Sequence, residues 1–185
     1  MTFRIFFFLL LVGCAPRLTA QVEFNPYGGI LTGRESLRFV GPTDAVTEYG
    51  GRDWIVGTDL LFGAGQLAPL AGLLYRSGSL DGPGGESFAY DRLYLPIGVG
   101  YKLLSPDFDI NLVPTLAVAP GLVVNDGTSF ADDRSLTWNG RAGARLFLDF
   151  VSLGVDYLHD FSAPRFPEAE GERRGRWLLS VGLRW

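Results

Sequence analysis

Apolar and polar residues alternate with a period of two over much of the chain, and the segment 91–103 shows this pattern without a fault. Its two faces are Leu93, Leu95, Ile97, Val99, Tyr101 and Leu103 against Arg92, Tyr94, Pro96, Gly98, Gly100 and Lys102. Successive residues of a strand belong to opposite faces, whereas a helix would scatter these residues around its circumference. The pattern therefore predicts a strand with one apolar face.

The same alternation predicts eight strands in four hairpins, at 21–34, 53–62, 69–78, 91–103, 110–124, 136–148, 151–161 and 177–185. In the first strand Phe24, Tyr27, Ile30 and Leu31 surround Gly28 and Gly29, so the parity breaks there and a bulge or bend is expected. The connections are long after the odd-numbered strands and short after the even-numbered ones. The long connection 79–90 is rich in glycine and is predicted to hold no regular structure.

Strand and loop lengths together predict an eight-stranded antiparallel up-and-down transmembrane β-barrel. Strands of about ten residues cross the hydrocarbon when tilted, and a closed barrel leaves no unpaired strand edge in lipid. The loop asymmetry predicts that both termini are periplasmic and that four long loops are outside the cell. The alternative is a soluble barrel or lipid carrier with the apolar face inside, whose lumen the Trp and Leu side chains would overfill.

Two segments carry a family resemblance. Trp177 to Trp185 ends on an aromatic residue and resembles the closing strand of bacterial outer-membrane barrels, which implies recognition by the barrel assembly machinery. Arg92 to Lys102, with Leu-Tyr-Leu-Pro-Ile and then Tyr-Lys, resembles the small outer-membrane β-barrel family that includes the PorT-type proteins, and the architecture is similar to OmpA and OmpX. The resemblance implies no shared catalytic residues. Pro96 lacks a backbone donor and is expected where a partner strand bulges or ends.

The amino-terminal segment is predicted to be a targeting signal. Arg4 and the apolar run 5–12 resemble a signal peptide over residues 1–20, with cleavage after Ala20 and the barrel domain at 21–185. The competing interpretation is lipidation of Cys14, the sole cysteine. Without residues 1–20 the chain has 14 basic against 20 acidic residues, a net charge of −6, so nucleic acid is not an expected partner.

Charged residues on the inward faces predict a filled lumen. The set is Asp59, Asp149, Asp156 and Asp160 with Arg76, Arg92, Lys102, Arg141, Arg145 and Arg184. A barrel of eight strands is about wide enough for side chains to fill, so these charges are expected to pair inside it. A narrow or gated channel is the alternative.

His159 is the only histidine, which excludes a site with several histidine ligands. His159 and Ser162, beside an acidic loop, resemble the lipid A deacylases, barrel enzymes with a hydrolytic His, Ser and carboxylate. Those enzymes have His-x-Ser, whereas His159 and Ser162 are three residues apart and would face opposite ways. An interfacial histidine without a catalytic duty is preferred, and a lipid hydrolase is the alternative.

The sequence therefore predicts a non-enzymatic outer-membrane protein with no catalytic, metal or cofactor residues. Its expected partners are outer-membrane lipids and lipopolysaccharide, and it is expected to be a monomer whose loops make any other contacts. Aromatic residues near strand ends are expected to form the interfacial girdles of such barrels: Trp54, Tyr75, Tyr101, Trp138, Tyr157, Trp177 and Trp185.

Overall fold

The computed structural model describes residues 22–32, 35–40, 46–81, 84–85, 87–104, 108–125, 136–161, 165–166, 169–171 and 175–185. Its strands are β1 Val22–Thr32, β2 Glu35–Val40, β3 Val46–Phe62, β4 Leu67–Asp81, β5 Ser87–Tyr94, β6 Ile97–Tyr101, β7 Ile110–Asn125, β8 Thr137–Leu148, β9 Val151–Asp160, β10 Arg165–Phe166, β11 Ala169–Gly171 and β12 Gly175–Leu183. Within these ranges, no helix is long and apolar enough to cross a membrane.

The strands close into a barrel with eight antiparallel wall positions. These positions are called staves below, because β5 and β6 together occupy one of them. The staves are β1, β3, β4, β5 continued by β6, β7, β8, β9 and β12, and each pairs with the next around the ring. β12 then pairs with β1, from Thr32 opposite Trp177 to Tyr27 opposite Gly182. The predicted eight-stranded antiparallel barrel is confirmed.

At the seam where β12 pairs with β1 and closes the barrel, the Asn25 side chain replaces a missing backbone hydrogen-bond donor. Phe24 and Trp185 exchange backbone hydrogen bonds of 3.1 and 3.0 Å. In an antiparallel ladder the next bonded pair lies two residues on, where Pro26 has no N–H. Asn25 instead donates its side-chain amide to the Leu183 carbonyl oxygen at 2.5 Å. The seam therefore remains bonded across the proline.

The outside of the barrel is apolar and the inside contains the charges. Ile30, Leu116 and Val181 lie on the outer face and are 61, 62 and 61% exposed, whereas Arg141 and Asp156 in the lumen are 2 and 1% exposed. This polarity is the reverse of that of a soluble protein, in which charged side chains are rarely buried. The alternative with the apolar face inside is therefore wrong, and the predicted assignment of the two faces holds.

The predicted bulge in the first strand is absent. β1 pairs without a register shift with β3 over Val22–Ile30, and its inward positions include Tyr27 and Leu31. The parity looked broken because apolar residues were assumed to face outward, whereas the lumen also contains apolar side chains. A register shift occurs instead between β5 and β7, at Asp91 and Arg92.

Pro96 interrupts its own strand. β5 ends at Tyr94 and β6 begins at Ile97, while the register with β7 is the same on both sides of the break, so no bulge lies directly opposite the proline. The wall remains bonded there. The Leu95 N–H donates to the Pro120 oxygen at 2.9 Å, and the Gly72 N–H donates to the Pro96 oxygen at 2.8 Å.

Several segments predicted as loops contain strand. β3 begins at Val46 and pairs with β2, β2 pairs with β11, and β11 pairs with β10. β4 extends to Asp81 and β5 begins at Ser87, so the prediction of no regular structure over 79–90 is wrong. At the end of the barrel that carries the long connections, the sheet hydrogen bonding continues beyond the barrel. This extension, called the raised wall below, consists of β10, β11, β2 and the start of β3.

Asp149 is not a lumen residue, contrary to the prediction. It is exposed in the turn between β8 and β9, with φ of 55°. A two-residue turn requires such left-handed backbone, which Asp tolerates better than most residues. The predicted signal peptide 1–20, with Cys14 and Ala20, lies outside the described residues and remains a prediction.

Candidate functional site in the lumen and at the outer surface

The centre of the lumen holds two arginines and two aspartates. Arg141 donates through Nε to Asp156 Oδ1 at 2.9 Å and through Nη1 and Nη2 to the two Asp59 carboxylate oxygens, both at 2.9 Å. Arg145 pairs with Asp59 at 2.8 Å and lies 4.2 Å from the ring centre of Tyr27. The charges of this middle layer balance, and the bidentate geometry is the strong form of the contact.

A second ionic layer lies at the end of the barrel that carries the long loops, here called the loop end. Asp53 accepts hydrogen bonds from Arg76 Nε at 2.8 Å and from Arg176 Nη1 at 2.6 Å. Asp160 accepts from Asn139 at 2.8 Å and pairs with Arg76 at 3.4 Å. Tyr90 donates to Asp53, and its ring lies 5.2 Å from the Arg92 guanidinium.

A third ionic layer lies at the opposite end, here called the turn end because its connections are short. Glu23 pairs with Lys102 and also with Arg184, the latter at 3.4 Å. The Arg184 guanidinium lies 5.2 Å from the ring centre of Phe147. Lys102 is 1% exposed, so its ammonium is desolvated together with its partner.

Apolar side chains separate the ionic layers. The set between the loop end and the middle is Leu31, Ile55, Leu74, Tyr94, Ala119, Leu158 and Leu178. The set between the middle and the turn end is Leu61, Ala68, Leu70, Val113, Ala117 and Phe147. A cavity of about 10 Å³ lies beside Arg76, Arg141, Tyr94 and Leu158, which is room for about one water molecule.

Three lumen tyrosines fit against glycines on the neighbouring strand. Tyr27 lies opposite Gly57, Tyr90 opposite Gly78, and Tyr94 opposite Gly121. A Cβ atom at any of these glycines would overlap the tyrosine ring. The glycines therefore make room for rings that fill the lumen.

The lumen prediction was right for most of its residues. The structure brings Asp59, Asp156, Arg141 and Arg145 together in the middle, Asp160 and Arg76 at the loop end, and Lys102 with Arg184 at the turn end. The inward charged set missed Glu23, Asp53 and Arg176, although the alternation of the second strand puts Asp53 on the inward face. Arg176 was assigned to a loop, although it shares the inward parity of Leu178 and Ser180 in the last strand, which was the available signal.

His159 lies on the outer face near the loop end, half-buried among aromatic rings. It stacks on Tyr157 at 6.4 Å and 13°, and meets the edge of Phe161 at 5.5 Å and 70°. Ser162, its partner in the hydrolase alternative, lies outside the described residues. In the part of the chain that the structure describes, no group of three or more His, Cys, Asp or Glu residues is placed to hold a metal ion.

Two solved structures resemble this barrel over nearly their whole length. The outer membrane enzyme PagL has a TM-score of 0.50 and 13% identity, over 88% of this chain and 97% of that one. The attachment invasion locus protein Ail of Yersinia pestis, solved with the heparin analogue sucrose octasulfate, has a TM-score of 0.51 and 11% identity, over 89% of this chain and 99% of that one. The chain has the fold of the small outer-membrane β-barrels.

The likeness at these identities is one of fold alone, and a fold does not by itself imply a function. One of the two similar structures is an enzyme and the other is named for attachment and invasion, so the fold does not choose between those roles. No protein-family model matches the chain. No curated protein sequence matches it either.

Proposed function

We propose that the protein is a non-enzymatic outer-membrane barrel that anchors the segments at its loop end to the cell surface. The observation that carries this proposal is the filling of the lumen by three ionic layers and two apolar layers. A lumen filled in this way favours a support over a conduit. The segment 92–102 resembles the PorT-type proteins, which supports the same kind of protein. Membership of that family remains a proposal.

The raised wall supports a contact role at the loop end. Cross-strand register places Glu170 opposite Arg38, and Arg38 opposite Glu48, while the strands pass beyond the end of β1. Backbone pairing between β2 and β11, which are far apart in sequence, continues the sheet of the barrel into this end. Binding residues are often carried by segments that such a scaffold positions.

The proposed partners follow from the outer surface. Its exposed apolar side chains need a hydrocarbon solvent, so the barrel is proposed to contact outer-membrane lipids and lipopolysaccharide and to be a monomer. Two residues beyond β12, Trp185 exchanges backbone hydrogen bonds with Phe24. That strand is proposed to be recognised by the barrel assembly machinery, with both ends of the barrel domain in the periplasm.

Purified barrel in planar bilayers is expected to show no unitary conductance. The reason is that charged and apolar side chains fill successive levels of the lumen, with room for about one water molecule in the cavity beside Arg141. A pore-forming peptide added to the same bilayer serves as the control for detection of a current. Regular current steps from the unaltered protein would establish the gated-channel alternative instead.

A lipid-hydrolysis assay tests the enzyme alternative. Protein in vesicles that contain lipid A and phospholipid is expected to release no more fatty acid than protein-free vesicles, because the described surroundings of His159 are aromatic rings and glycines. His159→Ala is the matched control and is expected to give the same trace. Release by the unaltered chain that disappears in His159→Ala would replace the proposal by a hydrolase.

A further inference from the structure

His159 has a special place on the outer surface of the barrel. Where the structure describes the side chains of the wall, every other outward position is apolar, small, neutral or acidic. Arg76, Arg92, Lys102, Arg141, Arg145, Arg176 and Arg184 all belong to the lumen. His159 is therefore the one described outward side chain that can take a positive charge.

A frame of rings and glycines holds the imidazole. The register partners of His159 are Gly140 on β8 and Gly175 on β12. The Phe161 ring occupies the space that a Cβ at Gly140 would need, and the Tyr157 ring does the same at Gly175. The Phe161 and Tyr157 rings thus lie over the two glycines, and the imidazole lies between the two rings.

The height of His159 matches that of lipid headgroups. Tyr157 packs edge-on against Trp177 at 5.3 Å, and both belong to the outward aromatic residues at the loop end. Aromatic belts of this kind mark the membrane–water interface. His159 lies two residues further toward the loop end, about 6–7 Å along the strand, where lipid phosphates would be.

No described acidic side chain competes for His159. The outward positions beside it are Trp138 and Gly140 on β8 and Gly175 and Trp177 on β12, and its own strand adds Tyr157. Asp160, the next residue along, faces the lumen and is bonded to Asn139 and Arg76. Among the described side chains of this part of the wall, the imidazole is the one that an anion approaching from the membrane would meet.

We propose that His159, framed by Tyr157, Phe161 and Trp177, binds the phosphate of an anionic lipid in the adjoining leaflet. The imidazole N–H donates a hydrogen bond to a phosphate oxygen, and protonation adds charge attraction. Trp177 and Tyr157 contact the region between headgroup and acyl chain, as amphipathic rings do. The inference deepens the proposed lipid partnership and rests on the proposed placement in the membrane.

Tryptophan quenching by brominated lipids tests this site. The full barrel is refolded into phosphatidylcholine vesicles that contain either brominated phosphatidylglycerol or brominated phosphatidylcholine. A Trp54→Phe/Trp138→Phe variant reports through Trp177, and a Trp138→Phe/Trp177→Phe variant reports through Trp54, two staves away. Trp185 remains in both variants, so its contribution cancels in the comparison.

At about pH 5, where an imidazole carries a charge, and at low ionic strength, the anionic lipid is expected to be enriched about fivefold beside Trp177, since one cationic side chain near a membrane contributes about 1 kcal/mol. His159→Gln should abolish the enrichment and His159→Arg should keep it, while the Trp54 reporter shows none. Inorganic phosphate at constant ionic strength should not displace a lipid that is also held by its chains. Equal quenching by the two lipids at Trp177, or enrichment that survives His159→Gln, would overturn the proposed phosphate site. The rings around His159 would then be ordinary members of the interfacial aromatic girdle.

The same samples separate this inference from the proposed function. A folded barrel migrates faster on gels before boiling, so unboiled samples show directly whether the protein has folded into the vesicles. Folded protein without enrichment overturns the lipid site alone. Protein that does not enter vesicles overturns both.

Discussion

Replacement of Val181 by arginine is expected to destabilise the barrel folded in lipid vesicles by about 2–4 kcal/mol. This is the cost of a cation near the bilayer midplane on a barrel's outer face. Val181 is 61% exposed, and its register partners are Gly28 on β1 and Leu153 on β9. Urea titration of the folded barrel in vesicles measures the loss.

Thr32→Arg is the matched control for depth. Thr32 faces outward on the neighbouring strand and pairs with Trp177, at the level of the aromatic residues. Near the interface the same charge is expected to cost about 0–1 kcal/mol. Equal effects at Val181 and Thr32 would mean that the outer face does not meet hydrocarbon.

Arg141→Met is expected to destabilise the barrel by about 3–5 kcal/mol, because removal of one partner leaves buried charges uncompensated. Arg141 is 2% exposed and bonds both Asp59 and Asp156, so its loss leaves two carboxylates with Arg145 alone. Methionine fills much of the same space, which limits the contribution of an empty cavity. The readout is the urea unfolding midpoint in vesicles.

A double variant separates charge balance from packing. Arg141→Met with Asp59→Asn leaves Arg145 and Asp156, which pair at 3.5 Å, as one balanced couple. This variant is therefore expected to recover a large part of the stability lost by Arg141→Met alone. If Arg141→Met is as stable as the unaltered chain, the middle layer is hydrated and the lumen is not filled as described.

The alternation of residues was enough to predict the fold and its two faces. The segment 91–103 shows why. One face of this strand is apolar, from Leu93 to Leu103, and the other contains Arg92 and Lys102. In lipid such a strand has to turn its charged face toward the inside of the barrel. The polarity inside the barrel follows from the same pattern. Lys102 and Arg141 were therefore placed in the lumen correctly.

Periodicity did not reveal the pairings inside the lumen. Asp59 and Arg141 are 82 positions apart, and only the register of the intervening strands brings them together. Tyr27 and Leu31 misled the prediction for β1 because an apolar residue fits either the outer face or an apolar lumen layer. Arg176 was missed because it follows a polar loop, where a charged residue is expected to be in solvent. The structure shows that β12 already begins at Gly175, which puts Arg176 inside the barrel.

The loop end is expected to face the outside of the cell, and cysteine labelling in intact cells tests this most directly. Gly84→Cys, at the loop end between β4 and β5, and Gly65→Cys, in the turn between β3 and β4, are both exposed with no neighbouring atom within 3.4 Å of an added Cβ. A membrane-impermeant maleimide should label Gly84→Cys in intact cells, and Gly65→Cys after the outer membrane is permeabilised. Labelling in the reverse order would contradict the proposed orientation, and labelling of neither until the cells are lysed would contradict placement in the outer membrane.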